Sequence, residues 1–329
     1  MKQKITVIGG SGFVGTNFCQ FLADLQIPFE IVDLKLSTKF AGYTTLADVR
    51  DIHSLRKAVM GNVVVNLAAV HRDDVSNKNE YFATNVQGAA NIAQVCREKN
   101  IRKVVFTSSV AVYGFAAPGT GEDGDIKPFN EYGRTKYLAE EKFRGWQGEG
   151  DNSLIIVRPT VIFGEGNRGN VFNLLNQIAS GKFLMVGNGL NKKSMAYIGN
   201  IVPFLFECVK TEQKYGVFNY VDTPDLDMNT LVSNVRQKLD RPQSIVPRIP
   251  YWLGMLFGYV ADLVTKISGK RLPISSIRVK KFCSSSQFAS NKSSLNGFEA
   301  SFTLEEAISR TLQNEFLNPN PDREVFFTE

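Results

Sequence analysis

The 329-residue sequence predicts an α/β fold: a doubly wound parallel sheet with helices on both faces and a smaller C-terminal α/β lobe that binds substrate. Three observations carry this. Short apolar runs alternate with helix-length segments through the first half of the chain. A glycine-rich turn, VIGGSGFVG, joins the first apolar run to the first helical segment. Beyond Pro159 the alternation loosens, and Gly, Asn and Pro become frequent in stretches such as GEGNRGN and VGNGLNKK.

Taken in order, residues 4–8 read as a buried strand, and a helical pattern follows to about Leu25. Residues 29–33, 63–67, 103–108 and 154–158 read as further buried strands. Helices are expected around 51–60, 79–99 and 131–146. Alternation of this kind places the strands parallel. Residues 1–159 then form a dinucleotide-binding domain, with later returns to its sheet, and residues 160–329 the substrate lobe. That lobe is expected to hold helices at 227–239 and 303–316 and a looped tail, NPNPDREVFFTE.

The N-terminus runs straight into a strand pattern and lacks the apolar stretch and cleavage site of a secretory signal. Cys19, Cys96, Cys208 and Cys283 are scattered without a CxxC pair, so they are expected to be reduced thiols in a cytoplasmic protein. No metal-ligand spacing is visible, and nucleic acid is not an expected partner. Of the two histidines, His71 follows a strand end of the cofactor sheet, where a structural role and a ligand contact are both open. The net charge of +6 is local: residues 241–292 carry nine Lys or Arg against Asp262 alone. Such a patch suits an anionic partner or a solvated basic face.

The chemistry-bearing motifs follow the strand ends. Gly9, Gly12 and Gly15 form a GxxGxxG turn, where the backbone can approach a pyrophosphate at a helix N-terminus. Ser11, Phe13 and Val14 complete this candidate cofactor site. Asp33 ends the second strand, where a carboxylate accepts from ribose hydroxyls and repels a 2′-phosphate, so NAD is favoured over NADP. Asp48 and Val49 are candidates for the adenine edge, and Leu67, Ala68 and Ala69 for a close backbone approach to the cofactor. In YGRTK, Tyr132 and Lys136 are spaced i, i+4 and share a helix face. An ammonium beside a phenol favours the phenolate, which suits proton transfer. TSSVAVYG sets Ser108 and Ser109 at a strand end, the edge at which open α/β sheets bind ligands.

Together GGSGFVG, Asp33, TSSVAVYG and YGRTK resemble the extended short-chain dehydrogenase/reductases that act on activated sugars, a Rossmann-type family. The resemblance implies that Tyr132 accepts and returns a proton, that Lys136 tunes it and binds the nicotinamide ribose, and that Ser109 hydrogen-bonds the sugar. It implies that Asn85 supports the active-site helix and that Pro159 and Val161 lie beside the nicotinamide. Val110 and Ala111 stand where the family's dehydratases have an acidic pair, which leaves epimerisation or ketone reduction. Thr160 and Lys193 stand where nucleotide-sugar epimerases usually have an asparagine and an arginine. The longer stretches AAVHRDDVS, RPTVIFGEGNRGNVFNLLNQIASGKF, NKKSMAYIGNIV, FNYVDTPDLDMN and SSIRVKKFCSSSQF resemble a bacterial subgroup. Its members epimerise N-acetylglucosamine on undecaprenyl diphosphate for surface-polysaccharide assembly. Arg72, Arg168 and Lys193 are then candidates for the substrate diphosphate, and a homodimer is a further implication. A soluble enzyme on a nucleotide sugar, whether epimerase or ketoreductase, and a non-catalytic dinucleotide sensor are the other readings.

One segment stands apart. PYWLGMLFGYVADLVTKISGKR has an uninterrupted apolar part of 11 residues, 251–261. A membrane span takes about 20, so this is not one. A buried lobe helix and a helix docking on an anionic membrane surface are both open, and the basic surroundings with Tyr251 and Trp252 favour the second.

Overall fold

The computed structural model describes residues 4–72, 75, 77–241, 246–269, 272 and 274–328. β1 (Ile5–Ile8) leads into α1 (Phe13–Asp24), β2 (Phe29–Asp33), β3 (Thr44–Leu46), α2 (Ile52–Ala58) and β4 (Val63–Asn66). α3 (Asn79–Tyr81) passes through a π-helical turn (Phe82–Gln87) into α4 (Gly88–Glu98). There follow β5 (Lys103–Thr107), a short helical turn (Val110–Tyr113), α5 (Glu131–Gln147), β6 (Ser153–Pro159) and β7 (Val161–Phe163). Next come α6 (Asn170–Ala179), β8 (Met185–Val186), β9 (Lys192–Tyr197), α7 (Ile198–Lys210) and β10 (Tyr215–Tyr220). The last elements are β11 (Asp222–Asp227), α8 (Met228–Lys238), β12 (Arg248–Ile249), α9 (Tyr251–Ser268), α10 (Ser276–Cys283) and α11 (Leu304–Leu312).

Seven strands form one parallel sheet in the order β10-β6-β5-β4-β1-β2-β3. The winding reverses between β1 and β4, the position where such sheets open a ligand crevice. The central strands are buried on both faces, which is why they read as unbroken Val and Ile runs. Their alternation still sorts the core. Val63 and Val65 pack with Phe18 of α1 and Phe204 of α7, while Val64 packs with Ile92 of α4 and Phe143 of α5. The doubly wound sheet expected from the sequence is present, and β10 is its late return, paired with β6.

β3 was not expected. It is a partly exposed edge strand, TTL, held only by pairing with β2, so it carries no apolar run to read. β7, β9 and β11 form a separate three-stranded sheet and β8 pairs with β12; β7, β8 and β12 are two or three residues long, and β9 and β11 are polar at one end or throughout, so none shows an apolar run of strand length. All four cysteines are free, as expected; three are buried, and burial pushes the Cys19 and Cys96 thiols up to about 12.

A buried ion cluster ties the sheet to α5. Arg158 on β6 donates to both carboxylate oxygens of Glu140, at 2.9 and 2.6 Å, and Arg144 adds a third bond at 2.8 Å. The other side of the Arg158 guanidinium donates to the Tyr113 hydroxyl (2.7 Å), which donates to Asn219 on β10 (2.8 Å). The Glu140 and Arg158 side chains are 0% and 3% exposed, so neither charge has water to fall back on.

α9 is an 18-residue helix with an inverted distribution of size. Its buried residues are Gly254, Gly258 and Ala261. A Cβ on Gly258 would lie 2.7 Å from Ser276 Cα, so the glycine is what lets α10 lie against α9. Asp262 accepts from the Ser276 amide and hydroxyl at 3.2 and 2.5 Å, fixing the junction. Six large side chains, Trp252, Leu256, Phe257, Tyr259, Val260 and Leu263, are each at least half exposed. This is not a helix buried in the lobe core. The basic end expected at Lys270 and Arg271 lies outside the described residues.

Removing Glu140 leaves a buried guanidinium without its counter-charge. Glu140→Ala is expected to lower the unfolding free energy by about 3–5 kcal/mol. Urea unfolding at constant m-value measures this, and a loss below about 1 kcal/mol would refute the cluster's role.

Candidate active site

A parallel sheet delivers every strand's C-terminal end to one edge. That edge here receives Gly9–Gly12 after β1, Asp33 at the end of β2, and Asp48 and Val49 after β3. It also receives Leu67, Ala68 and Ala69 after β4, Ser108 and Ser109 after β5, and Pro159 and Val161 at the β6–β7 junction.

The glycine turn is shaped by close approaches. Gly9 has φ +82°, and a Cβ there would lie 2.7 Å from the Ala68 amide nitrogen. A Cβ on Gly15 would lie 2.4 Å from Gly9 O. At Gly12 the added atom would meet only Gly9 O, at 3.5 Å. Gly12 is the N-cap of α1 and supplies no side-chain cap, so the first-turn amides face an open side. The Ser11 and Lys35 amides donate to the two Asp33 oxygens at 3.0 and 3.2 Å, and Ser11 Oγ donates to Lys35 O at 2.8 Å. The acid is thereby held against the turn with further lone pairs for hydroxyls. Asp48 is engaged differently: Arg50 grips both its oxygens at 2.6–3.0 Å and holds the carboxyl below the usual range. Val49 O accepts from Asn91 Nδ2 at 2.9 Å.

Tyr132 is the second residue of α5, whose N-cap Asn130 accepts from the Gly133 amide at 2.9 Å. Gly133 matters because a Cβ there would lie 2.3 Å from Ala111 O. The first turn of α5 therefore abuts the short turn capped by Ser109, whose Oγ accepts from the Ala111 amide at 3.1 Å. Lys136, one helical turn beyond Tyr132, is 2% exposed, with its ammonium 4.4 Å from the Phe106 ring centroid. Burial pushes its pKa down to about 7, against the weaker pull of Glu140. Asn85 sits in the π-helical turn and joins two segments of the site. Its amide nitrogen donates to Thr135 Oγ1 and Val70 O, both at 3.0 Å, and its oxygen accepts from the Val70 amide at 2.9 Å. Thr135 Oγ1 in turn donates to Glu131 O (2.8 Å) and lies 3.1 Å from Tyr132 O. Ser108 Oγ is buried without a partner among the described residues, a hydroxyl that a ligand at this edge can satisfy. Glycine cradle, uncapped helix, anchored acid and orphaned hydroxyl together fit NAD.

Residues 5–220 match the NAD dependent epimerase/dehydratase family. The chain belongs to that family. NAD is its cofactor. This epimerase/dehydratase is 46% identical, over the whole of both chains, to the N-acetyl-α-D-glucosaminyl-diphospho-ditrans,octacis-undecaprenol 4-epimerase of Escherichia coli O157:H7. It is 25% identical to the UDP-glucose 4-epimerase of Vibrio cholerae over 82% of this chain and 86% of that one. Its fold is that of MoeE5 solved with UDP-glucuronic acid and NAD, with a TM-score of 0.73, 21% identity, and 94% and 98% of the two chains covered.

Two of the candidate phosphate cations of this epimerase/dehydratase are engaged with protein groups. Lys193 on β9 donates to the carbonyls of Lys281 (2.7 Å) and Ser284, and burial lowers its pKa to about 8. It pins α10 to β9. Arg168 lies 2.7 Å from Glu315 and 4.0 Å over the Phe172 ring. Arg72 is exposed, and its carbonyl accepts from the Tyr81 hydroxyl. His71 lies beside the C-terminal tail, with Nε2 3.1 Å from Thr328 O. The sequence reading missed Gly133 and Thr135, although both lie inside YGRTK. Glycine directly after the tyrosine was the available signal.

Lys136 loses its proton near neutrality, and its charge state is expected to be linked to proton transfer at Tyr132 one helical turn away. With both protons bound the tyrosine is a phenol and cannot act as a base. Turnover is therefore expected to rise with pH through an apparent pKa of about 7 and to be lost below it. In Lys136→Met the limb should move up towards the ordinary phenol range, seen in the pH dependence of kcat/KM. An unmoved limb would remove Lys136 from this role.

Proposed function

We propose that the protein is a 4-epimerase that interconverts N-acetylglucosamine and N-acetylgalactosamine on undecaprenyl diphosphate, for bacterial surface-polysaccharide (O-antigen) synthesis. The 46% identity across both full chains carries this reading. The arrangement of Ser109, Tyr132 and Lys136 at the cofactor edge supports it.

When bound, NAD supplies a hydride acceptor and then a hydride donor. Tyr132, as phenolate, takes the O4 proton as C4 is oxidised to the ketone. Ser109 donates to O4 and holds C4 towards the cofactor edge. The keto sugar turns over while its diphosphate stays held. Tyr132 returns the proton as C4 is reduced from the opposite face, so no external reductant is consumed. Lys136, buried one helical turn beyond Tyr132, is the cation that favours the phenolate when protonated.

In this reading the enzyme works at the inner face of the cell membrane, and α9 is our proposed contact. No helix among the described residues is long and apolar enough to cross a membrane. The outward Trp252, Leu256, Phe257, Tyr259, Val260 and Leu263 form an apolar face, with Lys266, Arg278 and Lys280 on the same helical pair. That combination suits a helix lying in an anionic interface.

Tyr132→Phe is expected to cut kcat by about 10²–10⁴ while NAD still co-purifies; full activity would overturn the assignment. Undecaprenyl-diphosphate-linked N-acetylglucosamine and UDP-N-acetylglucosamine should be offered side by side. Conversion of the nucleotide sugar alone would overturn the lipid-linked reading. Sedimentation with anionic vesicles should weaken as salt rises and drop in Trp252→Ser/Leu256→Ser. Equal recovery of both proteins with vesicles would exclude α9 as the contact.

A further inference from the structure

Near Tyr132 in sequence, and under the helix that packs on α9, lies an aromatic pair that the proposed reaction does not use. Phe115 follows the turn capped by Ser109, and Phe129 precedes Asn130, the N-cap of the helix that carries Tyr132. The two loops are brought together by Gly114. It has φ +69°, and a Cβ there would overlap Lys127 O at 2.0 Å. The Lys127 amide also donates to Val112 O at 3.1 Å. At the outer end of this junction the rings of Phe115 and Phe129 pack at 4.7 Å, although 45% and 40% exposed.

α10 reaches over the pair. The Lys280 ammonium lies 5.0 Å from the Phe115 ring centroid and that of Lys281 lies 4.8 Å from Phe129. α10 is docked on α9 through Gly258 and the Asp262–Ser276 bonds. The segments next to Ser109 and Tyr132 thus carry two exposed aromatic rings with ammonium groups of α10 over them, and α10 packs on the inner side of α9, whose outer face is apolar.

An extended amphiphile with its sugar at Tyr132 and its tail in a bilayer against α9 has these rings and lysines within its reach. Its anionic neck passes the lysines, and its first apolar segment meets the rings. We infer that the Phe115–Phe129 pair, flanked by Lys280 and Lys281, seats the isoprene units next to the diphosphate of the lipid-linked substrate. This rests on the lipid-linked reading above and deepens it. Two flat apolar faces suit a chain of flat, branched alkene units, and packing there excludes water from both.

The test uses the full-length enzyme in detergent, so vesicle docking plays no part. The substrates are N-acetylglucosaminyl diphosphate as its methyl, citronellyl and undecaprenyl esters. In the unaltered enzyme, KM is expected to fall about tenfold or more from methyl to citronellyl, from apolar burial alone. In Phe115→Ser/Phe129→Ser that gain should shrink to about twofold or less. Phe115→Leu/Phe129→Leu should keep most of it. NAD content and melting temperature check that each variant is folded. A Ser variant that keeps the full chain-length gain overturns the seat, and so does an unaltered enzyme that shows none. Failure to convert any prenyl ester alongside turnover of UDP-N-acetylglucosamine overturns the lipid-linked reading itself, and the seat with it. In that event a raised KM for the nucleotide sugar in the Ser variant would assign the rings to its base.

Discussion

The buried contact between Arg158 and Glu140 is the constraint on which the site's geometry depends. Glu140 lies one helical turn beyond Lys136 on α5, and Arg158 lies on β6, so the pair sets the helix against the sheet. The same guanidinium reaches Tyr113, at the end of the turn that Ser109 begins. Tyr113 passes the connection to Asn219 on β10, the last strand to join the sheet. Four segments remote in sequence are therefore indexed to one planar cation. A bidentate guanidinium does this better than a lysine would, because its donors have fixed directions. Such a cluster is weak evidence of net stability, but once formed it cannot tolerate the loss of one member.

With α5 so placed, the chemistry needs little further adjustment. Gly133 lets the first turn of the helix touch the Ala111 carbonyl, which brings Tyr132 beside the Ser109 turn. Asn85 and Thr135 join the loop after β4 to the same helical turn, so hydrogen bonds tie the cofactor edge to the turn that carries Tyr132. Lys136 is inserted where water is excluded and an aromatic face takes its charge. Its lowered pKa is the electrostatic result of that burial.

The C-terminal third works by different physics. Small residues of α9 are turned inward and large apolar ones outward, the reverse of a lobe helix built for a core. Lys193, in a position the sequence offered for phosphate binding, fastens β9 to the backbone of α10. The structure therefore gives that cation a part in holding the helix pair, while Lys280 and Lys281 reach Phe115 and Phe129, on the segments next to Ser109 and Tyr132.

How much of this was legible follows from the range of each interaction. The sheet, its glycine turn, Asp33 and the Tyr132–Lys136 spacing depend on contacts within a few residues or on strand periodicity, and they could be read from the chain. β3 and the short strands beyond Pro159 could not, because they exist only through pairing with distant partners. Asn85 was singled out by resemblance; its partners Val70 and Thr135 became visible only in three dimensions. The oddity of residues 250–271 was plain in the sequence, but which face of that helix is covered was not. The sequence by itself determined the fold class and the residues that meet at the cofactor edge, since local pattern and parallel topology suffice for both. Only the tertiary structure decided which cations are bound to carbonyls, which aromatic rings stay exposed and which face of α9 is bare. Those outcomes turn on burial and pairing between separate segments of the chain, which no local pattern encodes.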